Sequence, residues 1–356
     1  MRTVQYLFRS AAIGALVAAL TPAAVIAAAA QSMEPLLAEA AAHIDNETAA
    51  GEFSGVVVIA HDGEVLLEKA VGLARRELEV PNTTATRFNI GSITKVFTRV
   101  MITQLLEDGR LTFDDTIARH LPDYPDPEIA RKVTIQHLLD MSSGLGDIFG
   151  ERFDATPKDE IIRLSDYLKL FAGQPLEFEP GTSKQYSNAG YIVLGLIIEK
   201  LTGKPYAEIA VDRVFKPAGM TGSALLARSD LPNDAAFGYT REGWMAAMRG
   251  GEPPTGEWQL NVGSLPGRGS SAGGSYSTAY DLLAFDRAVA AGTLCDPTYW
   301  RNYGGMGFAG GAPGINAALE SDWDNDWTIV VLANLDPPAA MRMAGSLREM
   351  LQLQRE

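Results

Sequence analysis

The sequence predicts a mixed α/β domain of the α+β type: an antiparallel β-sheet built from both chain ends, flanked by helices, with a helical subdomain inserted between its halves. Three observations carry this. Strand-like runs occur early, in "SGVVVIAHDGEVLLEKAVG" (54–72), and again late, in "GINAALES" and "DWTIVVLANLD". The long interval between them is dominated by helical apolar periodicity. The chain has 356 residues, 46% of them hydrophobic, and a mean hydropathy of −0.01, enough for one large domain or two smaller ones. The expected parts are a sheet subdomain at about 31–91 and 265–356 and a mainly helical subdomain at about 92–264.

In chain order, the first segment reads as an export signal rather than part of the fold. Arg2 and Arg9 flank an otherwise uncharged start, and the Ala-rich run "AAIGALVAALTPAAVIAAAA" ends in small residues before Gln31. Residues 1–30 are therefore expected to be a signal peptide cleaved near Ala28 to Ala30. The alternative is an uncleaved membrane anchor, since the apolar run is long enough to span. Pro22 and the A-x-A ending favour removal, so no stable membrane insertion is expected after cleavage. Loss of Arg2 and Arg9, the charged side chains of residues 1–30, takes the formal net charge from −14 to −16. The expected location is exported: periplasmic in a Gram-negative host, or secreted.

Residues 33–50 carry a helical stripe of Met33, Leu36, Leu37 and Ala41. Residues 54–72 form two apolar runs around His61-Asp62-Gly63, and Asp-Gly is a tight-turn signal, so a β-hairpin is expected. A long helix is expected from Ser92, with Val96, Phe97, Val100, Met101 and Leu105 on one face. Residues 110–222 are mostly helical by period, broken by Pro122, Pro125, Pro127, Pro175 and Pro180. Within them "YIVLGLIIEKLTG" (191–203) reads as a buried helix ending at Gly203. Residues 223–275 look loop-rich and contain Trp244 and Trp258. "STAYDLLAFDRAVAAG" (277–292) reads as a Ser/Thr-capped helix, and "AAMRMAGSLREMLQLQ" as a closing amphipathic helix.

Composition excludes several function classes. A sequence pI of about 4.8 argues against nucleic acid or an anionic membrane as partner. A single cysteine, Cys295, allows no intramolecular disulfide. The four histidines, His43, His61, His120 and His137, show no metal-ligand spacing, so neither a metal nor a cofactor is expected. The expected partner is a small-molecule acyl substrate. Oligomeric state is not encoded in any pattern seen.

Three stretches carry chemistry. Ser92 and Lys95, in "FNIGSITKVFT", stand at i and i+3 on a helix and so share a face. A serine hydroxyl is a weak nucleophile until a neighbour takes its proton, and a lysine can do so once burial lowers its pKa. The helix start adds free N–H groups suited to an oxyanion. The spacing alone is weak, since S-x-x-K arises about once by chance in a chain of this length. The plain alternative is a capping serine with a snorkelling lysine. Tyr186-Ser187-Asn188 offers a phenol as base or proton relay and an amide to hold a substrate carbonyl or orient Lys95. The alternative is a buried tyrosine with Asn188 as helix cap. Gly310 and Gly311 would let a strand edge approach a substrate closely, or would simply form a turn.

The combination "FNIGSITKVFT", "VTIQHLLDMSSGL", "FEPGTSKQYSNAGYIVLGLIIEKLTGKPY", "VFKPAGMTGS", "AGGSYSTAYDLLAF" and "GGAPGIN" resembles, in that order, the serine β-lactamase-related family. That family includes class C β-lactamases, D-Ala-D-Ala carboxypeptidases and carboxylesterases of the β-lactamase fold. The resemblance covers most of residues 40–335 and implies a β-lactamase/transpeptidase-like fold. It implies that Ser92 is the acylated nucleophile, Lys95 its proton acceptor, and Tyr186 the partner that activates water in deacylation. Asn188 would contact substrate, and the backbone N–H groups of Ser92 and Gly311 would form the oxyanion hole. Whether Lys95 or Tyr186 is the general base stays open at this level.

The third motif departs from the family pattern, in which a Lys or His is followed by Thr or Ser and then Gly. Aligned on Gly310 and Gly311, Phe308 and Ala309 occupy the first two places, and no His or Lys lies between Lys216 and the C-terminus. Neither side chain can hold a substrate carboxylate, a loss of about 1.5–3 kcal/mol for a charge-assisted contact. The expectation is therefore a serine hydrolase acting on esters or other neutral acyl substrates, with Phe308, Ala309, Gly310 and Gly311 beside the substrate. Phe308, Trp244 and Trp258 are candidates for an apolar pocket wall. The alternatives are a D-Ala-D-Ala carboxypeptidase or β-lactamase, and a catalytically silent binding protein of the same fold. Gly269-Ser270-Ser271-Ala272-Gly273 matches the G-x-S-x-G elbow, but all four histidines precede it and a Pro/Gly loop leads into it. It is read as a tight loop beside the site.

Overall fold

The computed structural model describes residues 22–247, 251–252, 254–301 and 307–351. Most of the segment read as an export signal, residues 1–21, lies outside them. The first described helix, α1 (Pro22–Ala49), starts inside that segment and carries the expected stripe of residues 33–50. β1 (Gly55–His61) and β2 (Glu64–Val71) then form the hairpin, with Asp62 and Gly63 at φ 49° and 79° in the turn. Such left-handed pairs are what Asp-Gly supplies to a two-residue hairpin.

The helical part contains α2 (Thr94–Glu107), α3 (Leu164–Phe171) and α4 (Asn188–Thr202), joined by short helices and loops. α4 is capped by Ser187, whose Oγ accepts from the Gly190 N–H, and it ends at Gly203 in the left-handed region (φ 74°). α5 (Ala279–Ala290) is capped by Thr278. The chain returns through β3 (Gly307–Ala312), β4 (Ile315–Asp322) and β5 (Trp327–Ala333) and closes with α6 (Ala339–Met350).

The five strands form one antiparallel sheet in the order β2-β1-β5-β4-β3. The first and last strands of the chain thus meet at its centre, where Val57 pairs with Val331. β1 and β5 are buried on both faces, which is why they read as unbroken apolar runs. Alternation sends Val56, Val58, Val330 and Leu332 toward α2, α4 and α5, and Val57, Ile59, Ile329 and Val331 toward α1 and α6. In the first of these cores Phe97 packs edge-on against Phe215 and Phe285, with centroids 5.1 and 5.0 Å away.

Two local expectations change. Ser92 is not in the first turn of α2 but in a 3-10 turn, Gly91–Ile93, that leads into it. The loop-rich stretch 223–275 holds a two-stranded ribbon, Tyr239–Glu242 with Thr255–Leu260, whose strands are short and are linked by a segment containing Gly and Pro. Among the described residues no helix is long and apolar enough to cross a membrane.

Candidate active site

The turn before α2 is shaped by close backbone packing. Gly91 has φ 51°, and a Cβ placed on it would lie 3.0 Å from the Gly311 nitrogen. A Cβ on Gly310 would lie 2.0 Å from the Ile90 oxygen and 3.0 Å from the Ser92 nitrogen. β3 therefore runs bare-backboned along the Ile90–Ser92 turn, and this brings the Gly311 amide beside Ser92. Thr94 holds the turn from the other side: its hydroxyl donates to the Gly91 carbonyl (2.8 Å) and accepts from the Ser275 N–H (3.0 Å).

One turn on, Lys95 is buried under the serine at 6% exposure. Its ammonium donates to Ser92 Oγ (3.3 Å), to Asn188 Oδ1 (2.7 Å) and to the carbonyl of Ala272. The rings of Tyr186 and Tyr191 lie 4.8 and 5.6 Å from Nζ. Burial pulls the Lys95 pKa down to about 7, against the opposing pull of the Asp147 carboxylate. The neutral amine is therefore far easier to reach than for a solvated lysine.

Tyr186 comes from the loop before α4, and its hydroxyl donates to Ser92 Oγ at 2.7 Å. The side chain is half exposed at the cleft mouth, with protein atoms around the rest of it. That desolvation pushes the phenol up to about 12, with the Ser92 hydrogen bond acting the other way. It is thus a neutral hydrogen-bond donor at physiological pH. Asn188 opens α4 rather than capping it. Its Oδ1 is held by Lys95 and its Nδ2 donates to both Asp147 oxygens (3.0 and 2.9 Å), so the amide lines the cleft already committed to protein partners.

Ser92, Tyr186, Asn188, Ala309, Gly310 and Gly311 all line one cavity of about 350 Å³, with Lys95 beneath Ser92. All but Ala309 came from sequence stretches that resembled the same family, and the spatial convergence agrees with a wider comparison. A family model described as Beta-lactamase matches residues 40–354. The chain belongs to the beta-lactamase family. It is 34% identical over 193 residues to penicillin-binding protein 4* of Bacillus subtilis, covering 53% of this chain and 42% of that one. The chain spans about half the length of the curated relatives it matches. A penicillin-binding protein of Bacillus halodurans superposes with a TM-score of 0.76 at 29% identity, over 86% of this chain and all of that one. The D-amino acid amidase of Ochrobactrum anthropi shares the fold, with a TM-score of 0.71 at 23% identity over 90% and 99% of the two chains. This fold family comprises serine hydrolases.

Within this beta-lactamase-family framework three expected wall residues are displaced. Phe308 does not line the cleft. It pairs with Leu319, so strand alternation turns its ring to the core face, where it meets Trp300 edge-on at 6.0 Å. Trp244 is buried elsewhere and donates through Nε1 to the Pro337 carbonyl (2.9 Å). Trp258 stacks with the guanidinium groups of Arg76 and Arg241, 5.3 and 4.2 Å from its ring. The apolar wall is made instead by Ile148, Phe149, Leu226, Tyr276, Ile315 and Met341. Arg228 also lines the cavity, but its guanidinium is held by Asp159 and by the carbonyls of Val262 and Leu265.

The G-x-S-x-G serine is not a nucleophile in this setting. Ser271 is fully buried, its hydroxyl donates to the Tyr191 carbonyl (2.8 Å), and only the bare backbone of Gly195 leaves room for it. The loop nevertheless serves the site through the Ala272 carbonyl that receives Lys95. That carbonyl and the Asp147 carboxylate escaped the sequence reading. The stretch "VTIQHLLDMSSGL" stops two residues short of Asp147, and a main-chain oxygen leaves no mark in a sequence.

Proposed function

We propose that the chain is an exported serine hydrolase that works through an acyl-Ser92 intermediate on esters or other neutral acyl substrates. The observation that supports this most is the pair of hydrogen bonds reaching one hydroxyl, from Tyr186 at 2.7 Å and Lys95 at 3.3 Å. A neutral Lys95 amine accepts the Ser92 proton as Oγ attacks the substrate carbonyl. A phenol with a pKa of about 12 is ionised in only about one molecule in 10⁵ at neutral pH, so Tyr186 suits proton delivery to the leaving group better than proton abstraction. The N–H groups of Ser92 and Gly311 receive the oxyanion. Water, relayed by the same two side chains, then releases the acyl group.

The preference for neutral acyl groups rests on the third motif and on the wall. Phe308 and Ala309 supply no cation, Arg228 is neutralised by Asp159, and Phe149 and Met341 at the rim are exposed apolar side chains. Incubation with a short-chain nitrophenyl ester is expected to give a covalent adduct on Ser92 by mass spectrometry. Ser92→Ala is expected to lose at least about 10³-fold in turnover; full turnover by that variant removes Ser92 from the mechanism. Export is supported by the basic start and the A-x-A ending, and N-terminal sequencing of the mature protein from the extracytoplasmic fraction tests it.

Similarity to penicillin-binding proteins favours a second reading, a D-Ala-D-Ala carboxypeptidase or β-lactamase. Labelling or hydrolysis of a fluorescent penicillin favours it, and absence of reaction alongside ester turnover rejects it. Failure of fluorophosphonate probes to label the chain at all would favour the silent binding protein.

A further inference from the structure

We propose that Asp147 is a positioning residue of this site: its carboxylate locks the Asn188 amide so that Nδ2 is held away and Oδ1 faces Lys95. The geometry is that of a clamp. Asp147 Oδ1 and Oδ2 accept from Asn188 Nδ2 at 3.0 and 2.9 Å, and Oδ2 also faces the Asn188 backbone N–H at 3.4 Å. In its protonated form Lys95 has donors only, so it must be met by the amide oxygen, and a carboxylate that takes the amide nitrogen leaves one orientation. An Asn188 without that clamp can turn its NH₂ toward the ammonium, which breaks the hydrogen bond and moves Nζ relative to Ser92.

The loop that carries Asp147 is itself pinned. Ser187 Oγ donates to the Gly146 carbonyl (2.8 Å), the Gln185 N–H to the Met141 carbonyl (2.8 Å), and the Glu177 N–H to the Gly144 carbonyl (2.8 Å). Asp147 Oδ1 also receives the Phe149 N–H at 3.1 Å. One carboxylate thus joins the base, the amide and the apolar rim of the cleft.

The groups that face Lys95 are Ser92 Oγ, the Tyr186 and Tyr191 rings, Asn188 Oδ1 and the Ala272 carbonyl. Asp147 is the carboxylate whose charge reaches it, and it favours the protonated amine. Removal of that charge therefore lets Lys95 deprotonate at lower pH.

The test uses Asp147→Asn in the full chain, with two readouts. The first is a ¹³C-lysine NMR titration of Lys95, assigned with Lys95→Arg, which needs no turnover. The second is the pH profile of ester hydrolysis, which rests on the acyl-hydrolase reading. In Asp147→Asn the Lys95 midpoint and the acid limb of kcat/KM are expected to move to lower pH, with kcat reduced about tenfold by the loosened geometry. In an Asn188→Ala background the same substitution is expected to cost less than about twofold in kcat, because its partner is gone. An unmoved midpoint, or losses that multiply in the double variant, overturns the proposal. A merely structural loop staple would lower kcat without moving either pH readout. If Asp147→Asn does not fold, Asp147→Glu serves: it keeps the charge and displaces the carboxylate, so the midpoint should stay and kcat should fall, and full kcat overturns the positional claim. A parent chain that hydrolyses no ester sinks the substrate reading while the NMR titration still judges Asp147.

Discussion

Lys95 is a charged side chain placed where charge is costly, and its chemistry follows from that cost. Its pKa in the folded chain, about 7, lies far below the ordinary 10.5, so the unfolded state binds more protons between those values. Stability should therefore rise as pH rises through that window, and the burden is greatest at and below neutrality. Lys95→Met should melt at a higher temperature than the parent at pH 7, with the gap closing toward pH 10, while ester turnover disappears; calorimetry across pH checks it. In the parent, kcat/KM should climb with pH through about 7 as the amine becomes neutral, and a profile without that acid limb counts against Lys95 as base. Ser92, Lys95, Tyr186 and Asn188 were legible because reactive side chains at fixed spacing leave a signature. Asp147 acts through another residue, and the Ala272 carbonyl has no side chain to read. Phe308 was placed on the wrong wall because a local motif does not reveal which face of a strand a residue occupies; only its pairing with Leu319 does.

At the scale of the element, the contact between β3 and the Ile90–Ser92 turn sets the distance across the site. Gly310→Ala would drive a methyl into the Ile90 carbonyl, so β3 must retreat from Ser92. The expected result is at least a tenfold fall in kcat, roughly the effect of displacing one oxyanion donor, with secondary structure unchanged by circular dichroism. Normal turnover would mean that the strand does not supply the second N–H. The hairpin, the Thr278 cap and the Gly203 stop were legible because Asp-Gly, Ser/Thr and Gly each solve a local backbone problem. The ribbon Tyr239–Glu242/Thr255–Leu260 was not, because its alternation is too short to rise above its glycines and prolines.

For the whole molecule, the sheet joins the two chain ends, so the last helix supports the first strand. Leu347 of α6 is fully buried in the core that also holds Ile44, Val57 and Val331. Leu347→Ala should cost about 2–5 kcal/mol, and ester turnover and near-ultraviolet dichroism should be lost at the same temperature. Loss of activity well before the dichroism would mean that the helical part melts separately. The fold class was legible at this scale because apolar strand runs at both ends leave few ways to satisfy their edges. The Lys95 amine is held by Ser92 and Asn188, which precede Gly203 in the chain, and by Ala272, which follows Gly269, and Gly310 and Gly311 arrive later still. A polypeptide severed between Gly203 and Gly269 would leave nucleophile and amide on one half, and the anchoring carbonyl and bare strand on its complement. Neither half alone would hold the full set of groups around Ser92, so hydrolysis would require both.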